Sequence, residues 1–500
     1  MKTITLRTSE LTKLWDTDPR LISYNIEMTE VTGGTFWKCY TPAQVAGEEE
    51  FPKLDPNVEG SFLNLTDLMQ EYPPIDLYNE KIRTLAKDLG PAWVRVSGTW
   101  ATTTYYDFDG HTAGKAPEGF RSVLTREQWI GVLDFVRETG AKLLISVGNC
   151  EGNHNPDGTW NPEQAKLIFD FSREYGVPVN AAEFTNEPNA MEVSGTPKGY
   201  TAKDFARDQD TFFRFLHENY PEVLAVGPCS AGDSWVGEYG KNMKHPVNLG
   251  IFVPTEEILK LCSEKPDVFS YHYYNGLSER GAFMGGHWDA SEAHTDEYIG
   301  ESERCCRITR RLRDQYAPGT PMWVTESGDA GAGGNTWAST YLDVLRFANE
   351  LGVFSSLTPG VIFHNTFCSS DYGLLAPESY DIRPNYWLCW LWTRIMGTAV
   401  YDVSQLCSEN LHIYAHSRKD GKDGKAYLLV NNSLTDSVKV ELPGEAACYT
   451  MSADSLRSSE VMINGHVMPV HETEIPEIQP LTISAGDMEF APATVSFVVV

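Results

Sequence analysis

Two glutamates stand out because each closes a short apolar run of the kind that forms a buried strand. Glu187 lies in NAAEFTNEP, after Asn186 and before Pro188, and Glu326 lies at the end of PMWVTES. Strand ends on one closed sheet face a common mouth, so residues far apart in the chain meet there. Two carboxyls flanking one acetal carbon are what cleavage of a glycosidic bond needs. One stays protonated to serve the departing oxygen, and the other is ionised to attack carbon or to activate water. A single glutamate at a strand end is ordinarily a solvated or salt-bridged loop residue. Asn-Glu-Pro after one strand with Glu at the end of a later one is more specific: it selects the retaining reaction, with Glu187 as general acid/base and Glu326 as nucleophile.

The neighbouring residues extend this constellation. Tyr273, in SYHYYNG, is placed to hydrogen-bond Glu326 and hold it ionised. Asn186 is placed to bind a sugar 2-hydroxyl. Arg95, in AWVRVSG, either supplies positive charge behind Glu326 or forms a buried ion pair inside the sheet. His272 reads as a hydrogen-bonded core residue. After Glu326 comes Ser327-Gly328-Asp329-Ala330-Gly331-Ala332-Gly333-Gly334. Gly331, Gly333 and Gly334 allow close backbone approach, and successive free N–H groups make an anion nest able to hold a sugar carboxylate; many such loops are only flexible turns. There is no HExxH or C-x-x-C pattern, so neither a metal nor another cofactor is expected. The ten cysteines form no framework, and adjacent Cys305 and Cys306 read as half-buried thiols.

The elements that must carry these residues alternate. LISYNIE, AWVRVSG, KLLISVG, NAAEFTNEP, VLAVGPC, VFSYHYY, PMWVTES and GVIFHNTF read as eight buried parallel strands. Helical patterns intervene, among them one opened by the capping box Thr125–Gln128 and ended by Gly140, and one opened by Thr201 with Asp204. The pattern predicts an α/β fold, a (β/α)8 TIM barrel over about residues 18–398. Beyond it, LHIYAHS, KAYLLVNN, SVKVELP and TVSFVVV alternate like half-buried strands, and TITLRT precedes the barrel. Residues 1–17 and 399–500 are therefore expected to form an accessory antiparallel β-sandwich from both chain ends. The longest irregular piece, about 38–75, is expected to lie over the barrel mouth or flank.

With 40 Lys and Arg against 69 Asp and Glu, the net charge of −29 repels polyanions, so nucleic acid and sulfated polysaccharides are poor partners. No run is long and apolar enough to span a membrane, and no signal peptide is visible at MKTITLRTSELTKLW. A cytoplasmic location is expected, or a secreted one if the chain is a processed mature form.

Several stretches resemble glycoside hydrolase family 79, the heparanase and β-glucuronidase family: GPAWVRVSGTW, EFTNEPN, SYHYYNG, VTESGDAGAGG and DYGLLAPESYDIRPNYW, with INGHVMPV more faintly near residue 463. The resemblance implies a barrel with a β-sandwich and net retention through a glucuronyl-enzyme intermediate, with Glu187 and Glu326 in the roles given above. It also implies that Glu27 lies near the sugar hydroxyls, that Thr99 lies in the matching turn, and that Tyr372 helps to bind the substrate carboxylate. Gly331 stands where the family commonly has tyrosine. Basic residues found in heparanase after the acid/base are absent from Pro188-Asn189-Ala190-Met191-Glu192-Val193. Together these features predict a β-glucuronidase, exo-acting on glucuronides or glucuronic-acid-containing oligosaccharides by double displacement. The alternatives are endo action of the heparanase or hyaluronidase kind, a retaining glycosidase for a neutral sugar such as xylose, and a non-catalytic carbohydrate-binding protein.

Overall fold

Eight parallel strands close on themselves in chain order: β1 (Ile22–Glu27), β2 (Trp93–Ser97), β3 (Lys142–Ser146), β4 (Ala181–Glu183), β5 (Leu224–Ser230), β6 (Val268–Tyr274), β7 (Met322–Gly328) and β8 (Ile362–His364), with β8 pairing back onto β1. This is the (β/α)8 barrel, seen in a computed structural model that describes residues 4–7, 10–52, 68–191, 193–247 and 250–500. Thr3 and Thr8 of TITLRT, residues 53–67 of the long irregular piece and Glu192 lie outside the described residues.

Side-chain alternation explains why each strand is buried on both faces. On β2, Val94 and Val96 point out into the large core under the helices, while Trp93 points in. Trp93, Leu144, Ala181, Val226, Val268, Trp323, Val361 and Phe363 form a separate apolar plug inside the barrel. Nearer the carboxyl ends the inward positions turn polar: Arg95 and Ser97 on β2, Ser146 on β3, Glu183 on β4 and His272 on β6 are all buried and hydrogen-bonded to one another. On β7 the pairing with β6 slips by one residue, so that Tyr271 faces Val324 and His272 faces Glu326. This irregularity aims Glu326 into the mouth, although it lies an odd number of positions after the inward Trp323.

Among the helices, Arg126–Thr139 has the Thr125–Gln128 capping box and ends on left-handed Gly140. Thr201 caps Ala202–Asn219. A short helix, Thr255–Leu259, follows β5, and Cys305 and Cys306 are buried in Glu301–Tyr316 rather than half-buried. The part of the irregular piece that is described contains a short helix, Pro42–Ala46, and a hairpin pairing Gly34–Trp37 with Met69–Tyr72.

Apart from a two-stranded parallel pair, Thr104–Asp107 with Ser122–Thr125, the remaining strands form two packed sheets. In the larger one, Lys13–Asp16 pairs with Met396–Tyr401, followed by Leu411–Arg418, Ala426–Asn431, Thr494–Val499 and Ala446–Ser452. In the smaller one, Val438–Leu442 lies between Ile4–Thr5 and Gly486–Phe490. Ile413, Tyr427 and Leu429 pack toward the small sheet, while Leu428, Val430 and Phe497 join the barrel core. Both faces of the large sheet are thus covered, which is why AYLLVN is apolar throughout. The hydroxyl of Tyr341 pins the joint, lying 2.7 Å from the Met451 carbonyl and 3.0 Å from that of Ala493, which share its one proton. Among the described residues no helix is long and apolar enough to cross a membrane.

Candidate active site

The carboxyl ends of the strands open into a cleft lined by Glu27, Gly98, Thr99, Asn186, Glu187, Tyr274, Glu326, Gly331, Ala332, Asn365 and Tyr372, with an aromatic rim of Phe36, Trp37, Trp100, Trp235 and Phe252. Glu187, His272 and Glu326 each present one atom to a common point, and these atoms lie within 4.8 Å of one another. The chain turns sharply here: Glu187 is left-handed (φ 46°) immediately before Pro188, a strained conformation of the kind held at functional sites.

The two glutamates sit in opposite environments. Glu326 accepts a hydrogen bond on each oxygen, from Arg95 Nη1 at 3.0 Å and from the Tyr274 hydroxyl at 2.5 Å. Both oxygens are thus committed as acceptors, as a nucleophilic carboxylate requires. Burial pushes Glu187 up to about 7, against the opposing charge of Arg95. Its Oε1 lies 3.1 Å from His272 Nδ1. The other ring nitrogen, Nε2, faces Arg95 Nη2 at 3.2 Å. Arginine only donates, so Nε2 is the acceptor and the ring proton is on Nδ1, directed at Glu187. Burial pulls His272 down to about 4, which keeps the ring neutral. With Oε1 accepting from histidine, the Glu187 proton resides on Oε2.

One guanidinium organises the rest. Arg95 also pairs with Glu183 at 2.9 Å and donates from Nη2 to Asn186 Oδ1 at 2.8 Å, which leaves the Asn186 amide hydrogens for a ligand. Burial alone would raise Glu183, but the charge of Arg95 and hydrogen bonds from Arg95 and Ser146 outweigh it and hold this acid below its ordinary range. The charge behind Glu326 and the buried ion pair are therefore one arrangement rather than two alternatives. The donor set at Glu187, His272 and Glu326 does not suit a metal ion. Ligation through Nδ1 would move the ring proton to Nε2, donor against donor with an arginine already fixed by two carboxylates.

Glu27 is buried at the cleft floor with Oε2 unpartnered, and burial together with the nearby charges of Glu326 and Glu30 raises it well above the usual carboxylate range. The space it fills exists because residue 98 is glycine (φ 90°): a Cβ there would collide with the Glu27 carboxyl. Thr99 and Asn186 line the cleft, as does Tyr372, whose carbonyl accepts from His364.

Two expectations need correction. Tyr273 does not reach Glu326: its hydroxyl donates to Asn275 Oδ1, and its ring packs edge-on against Phe354 in the outer layer. Strand parity is the reason. Val268, His272 and Tyr274 point inward, whereas Phe269, Tyr271 and Tyr273 point outward, so Tyr274 holds Glu326 and in turn accepts from Asn365 Nδ2 at 2.9 Å. The glycine loop is also not an open nest at the expected positions. The N–H of Gly331 donates to the Gly276 carbonyl and that of Gly334 to Ala330. Gly333 is buried, with Trp37 and Ser370 where a Cβ would project, and its N–H has no acceptor among the described residues. Sequence reasoning passed over Glu183, Tyr274 and Asn365 and read His272 as a core residue. For Tyr274 and His272 the signal was their two-residue spacing, shared with a strand pointing into the barrel.

A closed barrel with paired acids at its mouth is the scaffold of glycoside hydrolases, and the chain's homologues are of this class. It is 21% identical over 481 residues to heparanase-like protein 1 of Arabidopsis thaliana, with 85% of this chain and 84% of the relative covered. It is 23% identical over 488 residues to the baicalin-β-D-glucuronidase of Scutellaria baicalensis, with 88% and 84% covered. These homologues are a heparanase-like protein and a β-glucuronidase of glycoside hydrolase family 79, related at low identity and high coverage. The fold matches the 4-O-α-L-rhamnosyl-β-D-glucuronidase of Fusarium oxysporum 12S with a TM-score of 0.64 at 11% identity, over 100% of this chain and 99% of that one. No family model matches the sequence.

Proposed function

We propose that this protein is a retaining β-glycosidase that removes β-linked glucuronic acid from the ends of glucuronides by double displacement. The observation that carries the reading is that one carboxyl oxygen of Glu187 and one of Glu326 lie within 4.8 Å of each other, in opposite environments. Retaining enzymes hold their carboxyls roughly 5–5.5 Å apart, and inverting enzymes wider. In the first step a Glu326 oxygen attacks the anomeric carbon, while Glu187 gives its proton to the departing glycosidic oxygen. In the second, Glu187, now ionised, takes a proton from water as that water attacks the same carbon and the bond to Glu326 breaks.

The cleft, about 190 Å³ and rimmed by aromatic rings, favours a terminal sugar over a polymer threaded through. Among the described residues no Lys or Arg lines it, so a sugar carboxylate would be held by neutral donors: the Tyr372 hydroxyl and backbone N–H groups of the loop at Ala332 and Gly333. The baicalin-β-D-glucuronidase relationship supports this substrate class. A second reading, a neutral β-pyranoside, is favoured by the three carboxyls Glu27, Glu187 and Glu326 lining a cleft without a cation. Rates on p-nitrophenyl β-glucuronide, β-glucoside and β-xyloside under identical conditions decide. The glucuronide is expected to lead by on the order of a hundredfold in kcat/KM; equal or better turnover of a neutral sugar overturns the glucuronidase reading and leaves the two-glutamate mechanism in place.

A further inference from the structure

The loop after the nucleophile is gripped from behind by a segment outside the cleft, Ser278-Glu279-Arg280. The N–H of Ser278 donates to the Gly331 carbonyl at 3.0 Å, and its hydroxyl donates to the Ala332 carbonyl at 2.8 Å. Arg280 Nη1 donates to the carbonyls of Ala332 at 3.2 Å and Gly334 at 3.0 Å. Arg280 is itself immobilised: it is buried, pairs with Asp371 at 2.5 Å, donates to the Lys38 carbonyl at 2.6 Å and lies 3.7 Å over the ring of Tyr40. Glu279 completes the grip by accepting from the N–H and hydroxyl of Thr336.

A trans peptide points its C=O and N–H in opposite directions. Anchoring the carbonyls of Gly331 and Ala332 on Ser278 and Arg280 therefore turns the next two N–H groups, those of Ala332 and Gly333, the other way. Among the described residues these two amides have no acceptor in the protein, while their neighbours Gly331, Gly334 and Asn335 each donate internally. Ala332 and Gly333 also carry φ of 65° and 85°, two consecutive residues in the left-handed region.

We propose that Ser278 and Arg280 are positioning residues that set a preference for an anionic sugar, by holding the loop so that the Ala332 and Gly333 amides converge on the substrate's carboxylate. The inference rests on the glucuronidase reading above and deepens it. Neither residue touches substrate. Each acts through a carbonyl, and the effect is confined to the part of the substrate that meets the paired amides.

The test compares p-nitrophenyl β-glucuronide with its uncharged methyl ester and with the β-glucoside, in wild type and in Ser278→Ala, Ser278→Thr and Arg280→Lys variants of the full chain. Ser278→Ala is expected to raise KM for the glucuronide about tenfold with little change in kcat, and to leave both neutral substrates within about twofold. Ser278→Thr, which restores the hydroxyl, recovers the wild-type preference. Arg280→Lys keeps the charge beside Asp371 but loses the planar fork, and lowers the preference further. A wild type that does not prefer the acid removes both the glucuronidase reading and this one. A wild type that prefers it, with variants that lose acid and neutral substrates in equal proportion or lose nothing, overturns the positioning role alone.

Discussion

Tyr274 donates its hydroxyl to Oε1 of Glu326 across 2.5 Å, from the strand position just beyond Tyr273. The bond orients the carboxylate proposed as the nucleophile, and its loss should slow the chemistry. Tyr274→Phe is expected to lower kcat roughly tenfold to a hundredfold with a small change in KM. Tyr273→Phe removes a hydroxyl that serves only Asn275 in the outer layer and should leave kcat nearly unchanged. Steady-state kinetics of the two variants side by side check the assignment; equal effects would reject it.

The two glutamates should respond oppositely to truncation. Glu187→Ala is expected to keep measurable turnover of substrates with good leaving groups, which need little protonation. Glu326→Ala is expected to lose covalent labelling by a mechanism-based glucuronide probe, read by intact-protein mass spectrometry. Persistent labelling at another carboxyl would transfer the nucleophile role.

The pH dependence of activity follows from Glu187, which burial pushes up to about 7. The acid form is the active one, so kcat/KM should fall as pH rises through about 7. In Glu187→Gln, assayed with an activated substrate, that limb should vanish; its survival would assign it to another group.

Stability has its own pH signature. Glu30 and Glu350, like Glu187, are raised to about 7 by burial, and Asp233 to about 6. A carboxyl whose folded value lies above its unfolded one binds more protons when folded between the two. Its contribution is full below about 4.5 and is lost as pH rises through the folded value. Buried His272, His364 and His416, lowered to about 4, oppose this below about pH 6.5, so the melting temperature should fall between about pH 6.5 and pH 8. Glu30→Gln, which removes one of these groups outside the reacting pair, should flatten the fall; a rising melting temperature over that window would contradict the assignment.

Gly98→Ala should abolish activity while the chain still folds, because the added methyl meets the Glu27 carboxyl and the backbone stays left-handed. A cost of about 1–3 kcal/mol in stability is expected, measurable by denaturant unfolding. Full activity in this variant would mean that Glu27 is free to move aside.

The eight strands were readable from the chain because parallel strands buried on both faces are nearly continuous apolar runs. What was not readable depends on orientation and on distant partners. In SYHYYNG two tyrosines stand side by side, and only the inward direction of the strand decides between Tyr273 and Tyr274. In the glycine loop the N–H groups of Gly331 and Gly334 are taken by the carbonyls of Gly276 and Ala330, which leaves those of Ala332 and Gly333 without an acceptor among the described residues, and nothing local in VTESGDAGAGG records the contact with Gly276. Trp37 reaches the cleft through a hairpin with Met69–Tyr72, whose pairing has no short-range turn signal.

The pairing of chain ends bears on how the protein is made. β1 lies against β8, Lys13–Asp16 against Met396–Tyr401, and Ile4–Thr5 against Val438–Leu442. On a ribosome the opening strands emerge first, and their partners last. The nascent chain must therefore carry unpaired strand edges through most of its synthesis, a period open to aggregation and to holding chaperones. Ribosome-bound chains stalled before β8 should be cut by protease within β1, and released full-length chains should not.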